Sequence, residues 1–176
     1  MYSDAYIRYL VHFHGDRDYF ECHEILEEYW KQTSTDKQSI WVGFILLAVS
    51  NYHYRRGNYS GALKSLNKSL TIFQKQITAG VSLGIDFSSL ISLLHDRSNA
   101  IQSGLPYTSF NIPFSDSDLI NLCQQICQEK GFIWGNESDP KRIDLIHRHS
   151  LRDRSEVILE RKAAIEIRNK KKAEND

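Results

Sequence analysis

A chain of 176 residues, 41% apolar and 25% charged, carries one domain's worth of ordinary globular composition with room for a sizeable core. Basic and acidic side chains balance at 22 each, so no global field recruits nucleic acid or an anionic membrane. Nine glycines and three prolines favour long uninterrupted helices over a turn-rich β architecture, and the longest apolar run, residues 40–49, is far short of a membrane span.

The opening residues, Met1-Tyr-Ser-Asp, show neither the basic start nor the apolar core of a secretory signal, which sets the expectation of a cytoplasmic protein. The first predicted helix starts at Asp18, which forms a capping box with Glu21, and runs to about Lys31. A polar connection, residues 32–37, leads to a second helix from about Ser39. It is apolar nearly all round from Ile40 to Val49, the mark of a central helix. It ends at Arg55-Arg56-Gly57, where cations suit the helix C-terminus and glycine supplies the left-handed cap. Asn58 caps a third helix with the seam Leu63, Leu66, Leu70, Phe73 and Ile77. Three helices with short connections predict an antiparallel bundle.

A fourth helix is predicted over about 88–102, with Leu90, Leu93, Leu94 and Ile101 inward. Residues 104–113 are too apolar for an idle linker and are expected to lie against the bundle. Ser115 or Asp116 caps a fifth helix ending near Lys130. Its Cys123 and Cys127, one turn apart, read as small buried residues, and with Cys22 they make no disulfide framework. A composition break at residues 136–140 divides a helical domain, 1–136, from a charged extension, 137–176. Residues 139–176 hold 11 basic and 8 acidic groups, a net of +3, and 155–172 have helical propensity but few large apolar side chains. This segment reads as an appended helix or tail, partly disordered when alone. The predicted fold is therefore all-α: an antiparallel three-helix bundle core extended by two further helices and a charged C-terminal helix or tail.

The candidate site lies in residues 18–30. At 100° per residue Tyr19, His23, Leu26, Glu27 and Trp30 share one arc, with His23 near its middle, while Glu21, Glu24, Glu28 and Lys31 form a solvated stripe. Ionisable groups aimed into a core are costly unless they pair or act. If the hairpin turns near residue 36, position i faces about 72 − i. His53 then lies level with Tyr19, roughly 6 Å along the axis from His23 at about 1.5 Å per residue. His23, Glu27 and His53 are thus expected to converge between the first two predicted helices, with Trp30 covering one end.

Phe13-x-Gly15-x-x-Asp-Tyr-Phe-Glu-Cys-His-Glu-x-Leu-Glu-x-x-Trp30, then an apolar helix with His53 and Arg-Gly-Asn-Tyr-Ser-Gly-Ala-Leu63, resembles the prokaryotic domain-of-unknown-function 309 family. The resemblance covers about residues 8–78, with His23, Glu27, Trp30 and His53 at the family's marked positions. It implies a small all-helical bundle and no particular activity.

Three readings of the cluster stand side by side. The first is a hydrogen-bond network that sets helix register. The second is a ligand site, with a divalent metal as candidate cofactor, since two imidazoles and a carboxylate suit zinc or iron. The third is catalysis by a metal-dependent enzyme, in the first instance a hydrolase, using the same three residues. The spacing lacks the second histidine of the His-Glu-x-x-His zinc-protease pattern. A di-iron Glu-x-x-His is excluded because position 20 is Phe. Residues 57–70 match half of a tetratricopeptide repeat without a second copy. Arg55 and Arg56 are read first as helix-dipole complements and second as an anion site. Lys170-Lys-Lys172 lacks aromatic platforms, so nucleic acid is not an expected partner. The preferred function is a cytoplasmic binding or interaction module, with a protein partner or self-association through the C-terminal helix as candidate interactions.

Overall fold

In the computed structural model, which describes residues 2–78 and 82–148, the chain is all-α. Seven helices appear among these residues: α1 Asp4–His14, α2 Tyr19–Thr33, α3 Ile40–Arg55, α4 Tyr59–Lys75, α5 Phe87–Gln102, α6 Ser117–Glu129 and the short α7 Ile143–Ile146. The longer six each begin at a side chain that accepts a first-turn amide. These caps are Ser3, Asp18, Ser39, Asn58, Asp86 and Asp116. Gly57, with φ of 73°, closes α3 in the left-handed conformation that glycine adopts without steric cost.

The predicted first helix is in fact the second. Helix α1 precedes it, built on Tyr6, Tyr9, Leu10 and Phe13, which recur at i, i+3, i+4 and i+7 and are fully buried. The Tyr9 hydroxyl donates to the Phe44 carbonyl (3.0 Å), so α1 lies across the middle of α3 as well as beside α2. Helices follow one another as packed neighbours from α1 to α5, and α6 returns to α1 through buried Cys123 and Cys127. Helix α3 is central, as its apolar circumference requires: Phe44, Leu47 and Ala48 are all fully buried.

Where α3 and α4 cross, Ser69 donates to the Gly43 carbonyl (2.7 Å) and the ring of Phe73 fills the place a side chain at position 43 would take. Ile77, expected on the α4 seam, is 46% exposed, because the helix has already ended at Lys75. Residues 104–113 do lie on the bundle: Ile112 is buried, and Tyr54 donates to the Leu105 carbonyl (2.8 Å).

The corner from His14 to Asp18 joins everything else. Gly15 fits because a Cβ there would stand 2.7 Å from the Val11 carbonyl oxygen. Arg17, at φ 58°, is 1% exposed. It donates to the carbonyls of Phe13, Phe110 and Asn136 and to Asn111 Oδ1, at 2.7–2.8 Å. His14, also fully buried, donates from Nδ1 to the Leu10 carbonyl (2.8 Å) and accepts the Ile112 amide at Nε2 (3.0 Å). Its ring stacks on Trp134 with centres 4.3 Å apart.

The compact unit runs to Ile146. Residues 138 and 145 are tied to the end of α3. Arg55 donates to Ser138 Oγ (2.9 Å) and the Leu145 carbonyl (3.2 Å), and Leu145 is buried. The expected C-terminal helix over 155–172 lies outside the described residues.

Two stability predictions follow from these contacts. A Cβ on Gly43 would sit 2.6 Å from Phe73 Cε1, and Phe73 is itself wedged against Phe44 and Phe87. Gly43→Ala should therefore lower the urea denaturation free energy by about 1–2 kcal/mol net, overpacking outweighing alanine's helix propensity. A neutral or stabilising effect would mean that the crossing yields.

Burial, assisted by the nearby Arg17 charge and opposed by the Leu10 hydrogen bond, lowers the His14 pKa from 6.5 to about 3. The unfolded chain therefore takes up the proton first. The stability held by neutral His14 is complete above pH 6.5 and drains away as pH falls towards 3, at up to about 1.4 kcal/mol per pH unit. Denaturation midpoints should fall across that window, with a shallower slope in His14→Asn. Equal slopes in the two proteins would contradict this assignment.

Candidate functional site

Helix α2 turns Tyr19, Cys22, Ile25 and Leu26 into the core, a stripe centred near Cys22. His23 is one residue, or about 100°, further round and stands at the edge of that stripe with its side chain 28% exposed. The sequence phase was rotated because it treated α3 as the only neighbour, whereas α1 packs on α2 from the other side. Cys22 takes the inward place, its thiol against the Tyr9 carbonyl (3.5 Å).

Two carboxylates bracket His23. Its Nδ1 is 3.0 Å from Glu24 Oε1 and its Nε2 is 3.3 Å from Glu27 Oε2; Glu27 Oε1 in turn meets Lys31 Nζ at 3.0 Å. Imidazole and carboxylate are both ligand types that suit a divalent metal ion. One ligand atom from each of His23, Glu24 and Glu27 lies within 4.8 Å of the others, the sole such group among the described residues. Glu24, placed by sequence on the solvated stripe, thus belongs with His23 and Glu27.

His53 does not join them. The predicted hairpin register is close, since the rings of Phe20 and Tyr52 are 6.4 Å apart and their numbers sum to 72. The residue facing α2 at that level is Tyr52. His53, a further 100° round, has its Nδ1 3.1 Å from the Asn58 amide nitrogen, and burial together with Arg56 lowers its pKa. Trp30 is half-buried and spends its indole N–H on the Asp36 carbonyl (2.9 Å), closing the α2–α3 loop. Of the four residues singled out in the sequence, the structure brings His23 and Glu27 together, and places Trp30 one end away and His53 on a different face.

The cysteines offer no nucleophile. Burial pushes Cys22 well above its ordinary value, Cys123 up to about 12 and Cys127 up to about 11, so all three stay as thiols at neutral pH.

Sequence reasoning missed a second polar centre formed by Arg17, Arg55 and Arg97. Arg97 donates to Asn51 Oδ1 (3.0 Å) and the Thr108 carbonyl (3.1 Å) and lies over the Phe110 ring at 4.5 Å. A signal was present: Arg97 falls on the inward stripe of α5, seven residues after Leu90 and four before Ile101. Arg17, between two aspartates, carried no such signal.

The family model described as Domain of unknown function (DUF309) matches residues 6–65, a span that includes most of α1, the His23 cluster and His53. Over 171 residues the chain is 46% identical to "Uncharacterized protein YpuF" of Bacillus subtilis (strain 168), covering 97% of this chain and 98% of that protein. No solved structure matches the chain.

The position of His23 at the core's edge has a measurable consequence. Leu26→Ala should cost about 2–5 kcal/mol in chemical denaturation, whereas His23→Ala should cost less than about 1 kcal/mol. Comparable losses would return His23 to the core.

Proposed function

The chain belongs to the domain-of-unknown-function 309 family, and on that premise we propose that it is a cytoplasmic helical binding module with its recognition point on α2. The observation that carries this reading is the partly exposed imidazole of His23 bracketed by Glu24 and Glu27, at the edge of the α2 stripe committed to the core. Such a constellation suits a cationic ligand: a divalent metal, or a lysine or arginine presented by a partner. None of the helices among the described residues is long and apolar enough to cross a membrane. The C-terminal extension remains a candidate for contact with a protein partner or a second copy.

A second reading, a metal-dependent hydrolase, is favoured by the same three ligand atoms lying within 4.8 Å of one another. Its ligand set would be His23, Glu27 and Glu24, with Glu24 in the role first assigned to His53. Three protein ligands leave a coordination position for water, which the metal would acidify.

Calorimetric titration of chelator-treated protein with zinc and with manganese tests the first reading. We expect one saturable site, lost in His23→Ala and Glu27→Gln and retained in His53→Ala. Loss in His53→Ala alone would overturn the assignment of ligands. If neither metal binds, the cluster is left to a cationic partner. Metal-stimulated hydrolysis of model esters or phosphodiesters, abolished by the same substitutions, would favour the enzyme.

A further inference from the structure

Arg55 and Arg97 stand on aromatic faces at the C-terminal end of α3. Arg55 Cζ is 4.8 Å from the Tyr19 ring centre; Arg97 Cζ lies 5.4 Å from that of Tyr54 and 5.8 Å from that of Tyr107. Both donate to neutral acceptors alone. Arg55 binds the Arg17 carbonyl (2.7 Å), Ser138 Oγ and the Leu145 carbonyl, and Arg97 binds Asn51 and Thr108. No ion pair among the described residues reaches Arg17, Arg55 or Arg97.

Among the described residues the three guanidiniums have no ion-pair partner, whereas a charge withdrawn from water normally sits against its opposite. Arginine does not shed its proton under these conditions, so the charge stays. Burial opposes it, pulling the pKa of both Arg55 and Arg97 down. Arg55 Nε is also a buried donor without an acceptor, the one such side-chain atom among the described residues.

The neighbouring groups are hydroxyls. Tyr107 Oη is 2.5 Å from Tyr19 Oη and 3.1 Å from Ser109 Oγ, and Ser109 Oγ accepts the Ser138 amide (2.9 Å). Glu137 accepts the Ser109 amide (2.9 Å) and forms no ion pair with a guanidinium among the described residues. Arg55, Arg97, Tyr107, Ser109 and Ser138 are each partly exposed.

We propose that Arg55 and Arg97, with the hydroxyls of Tyr107, Ser109 and Ser138, form a binding site for a small phosphate-type oxyanion. The stacked guanidiniums are held rigid with part of their donor fork unused, and the hydroxyls rotate to donate to further oxygens. A tetrahedral oxyanion uses several convergent donors at once and supplies the missing counter-charge. This site is independent of the α2 cluster and of the function proposed for it. It differs from a helix-dipole role for Arg55, whose guanidinium reaches away from the end of α3 to residues 17, 138 and 145.

Melting of the full chain in inorganic phosphate, against sodium chloride at equal ionic strength, tests the proposal. A saturable rise of about 3–6 °C is expected at ten times the Kd. It should vanish in Arg55→Lys and Arg97→Lys, which keep the charge and lose the fork, and persist in Arg56→Gln. No rise beyond chloride overturns the site, as does an equal rise in all variants. Should a lysine variant fail to fold, phenylglyoxal labelling of the unaltered chain decides. Phosphate at ten times the Kd should slow modification of Arg55 and Arg97 about tenfold and leave Arg8 and Arg56 unchanged. Equal slowing at all four, or none, overturns the proposal.

Discussion

The guanidinium of Arg17 is the constraint around which the bundle is organised. A charge enclosed at 1% exposure is tolerable only because its donors end on oxygen: three carbonyls and one amide side chain. Those acceptors come from the end of α1, from residues 110–111 and from residue 136, so one side chain fixes three stretches of backbone. The left-handed conformation at Arg17 is unfavourable by itself, of the order of 1–3 kcal/mol, and persists because these bonds over-determine it. Arg55 then binds the carbonyl of Arg17, which ties the end of α3 to the same corner. His14 completes the joint from the other side through the amide of Ile112.

Most helices could be read from the sequence because their signals are local. Asp18, Ser39, Asn58, Asp86 and Asp116 satisfy first-turn amides, and the apolar circumference of α3 states its central place. Helix α1 was equally legible in its spacing and cap. Its apolar stripe is built of tyrosine and phenylalanine mixed with histidine, which reads less plainly than leucine. What could not be read was the third dimension of the site. Axial register follows from loop position, and the Phe20–Tyr52 contact agrees with it. Rotational phase depends on how many neighbours a helix has, and the presence of α1 turned Cys22 rather than His23 inward. A 100° error suffices to separate His53 from Glu27 while leaving both at the expected height.

The two polar centres contrast in kind. Around His23 the carboxylates of Glu24 and Glu27 lie against the imidazole and the Lys31 ammonium, and the cluster sits at the edge of solvent. Around Arg55 and Arg97 the hydrogen-bond partners among the described residues are neutral. A charge that persists without an ion-pair partner inside a well-capped structure marks a place prepared for something else. The aromatic support beneath each guanidinium belongs to the same logic, holding the cation in one orientation without neutralising it.

The bonds of Arg17 also order events in time. Its acceptors at Phe110 and Asn136 lie 93 and 119 residues further along the chain, whereas the α2–α3 and α3–α4 hairpins close over short connections. Local pairs form early and distant ones late, because loop closure must precede the contacts that reward it. During synthesis the first four helices therefore emerge with a cation at their corner that has nothing to bind but water and the Phe13 carbonyl. The corner locks only after residue 136 has left the ribosome, so residues 110–136 act as the clasp on the start of the chain.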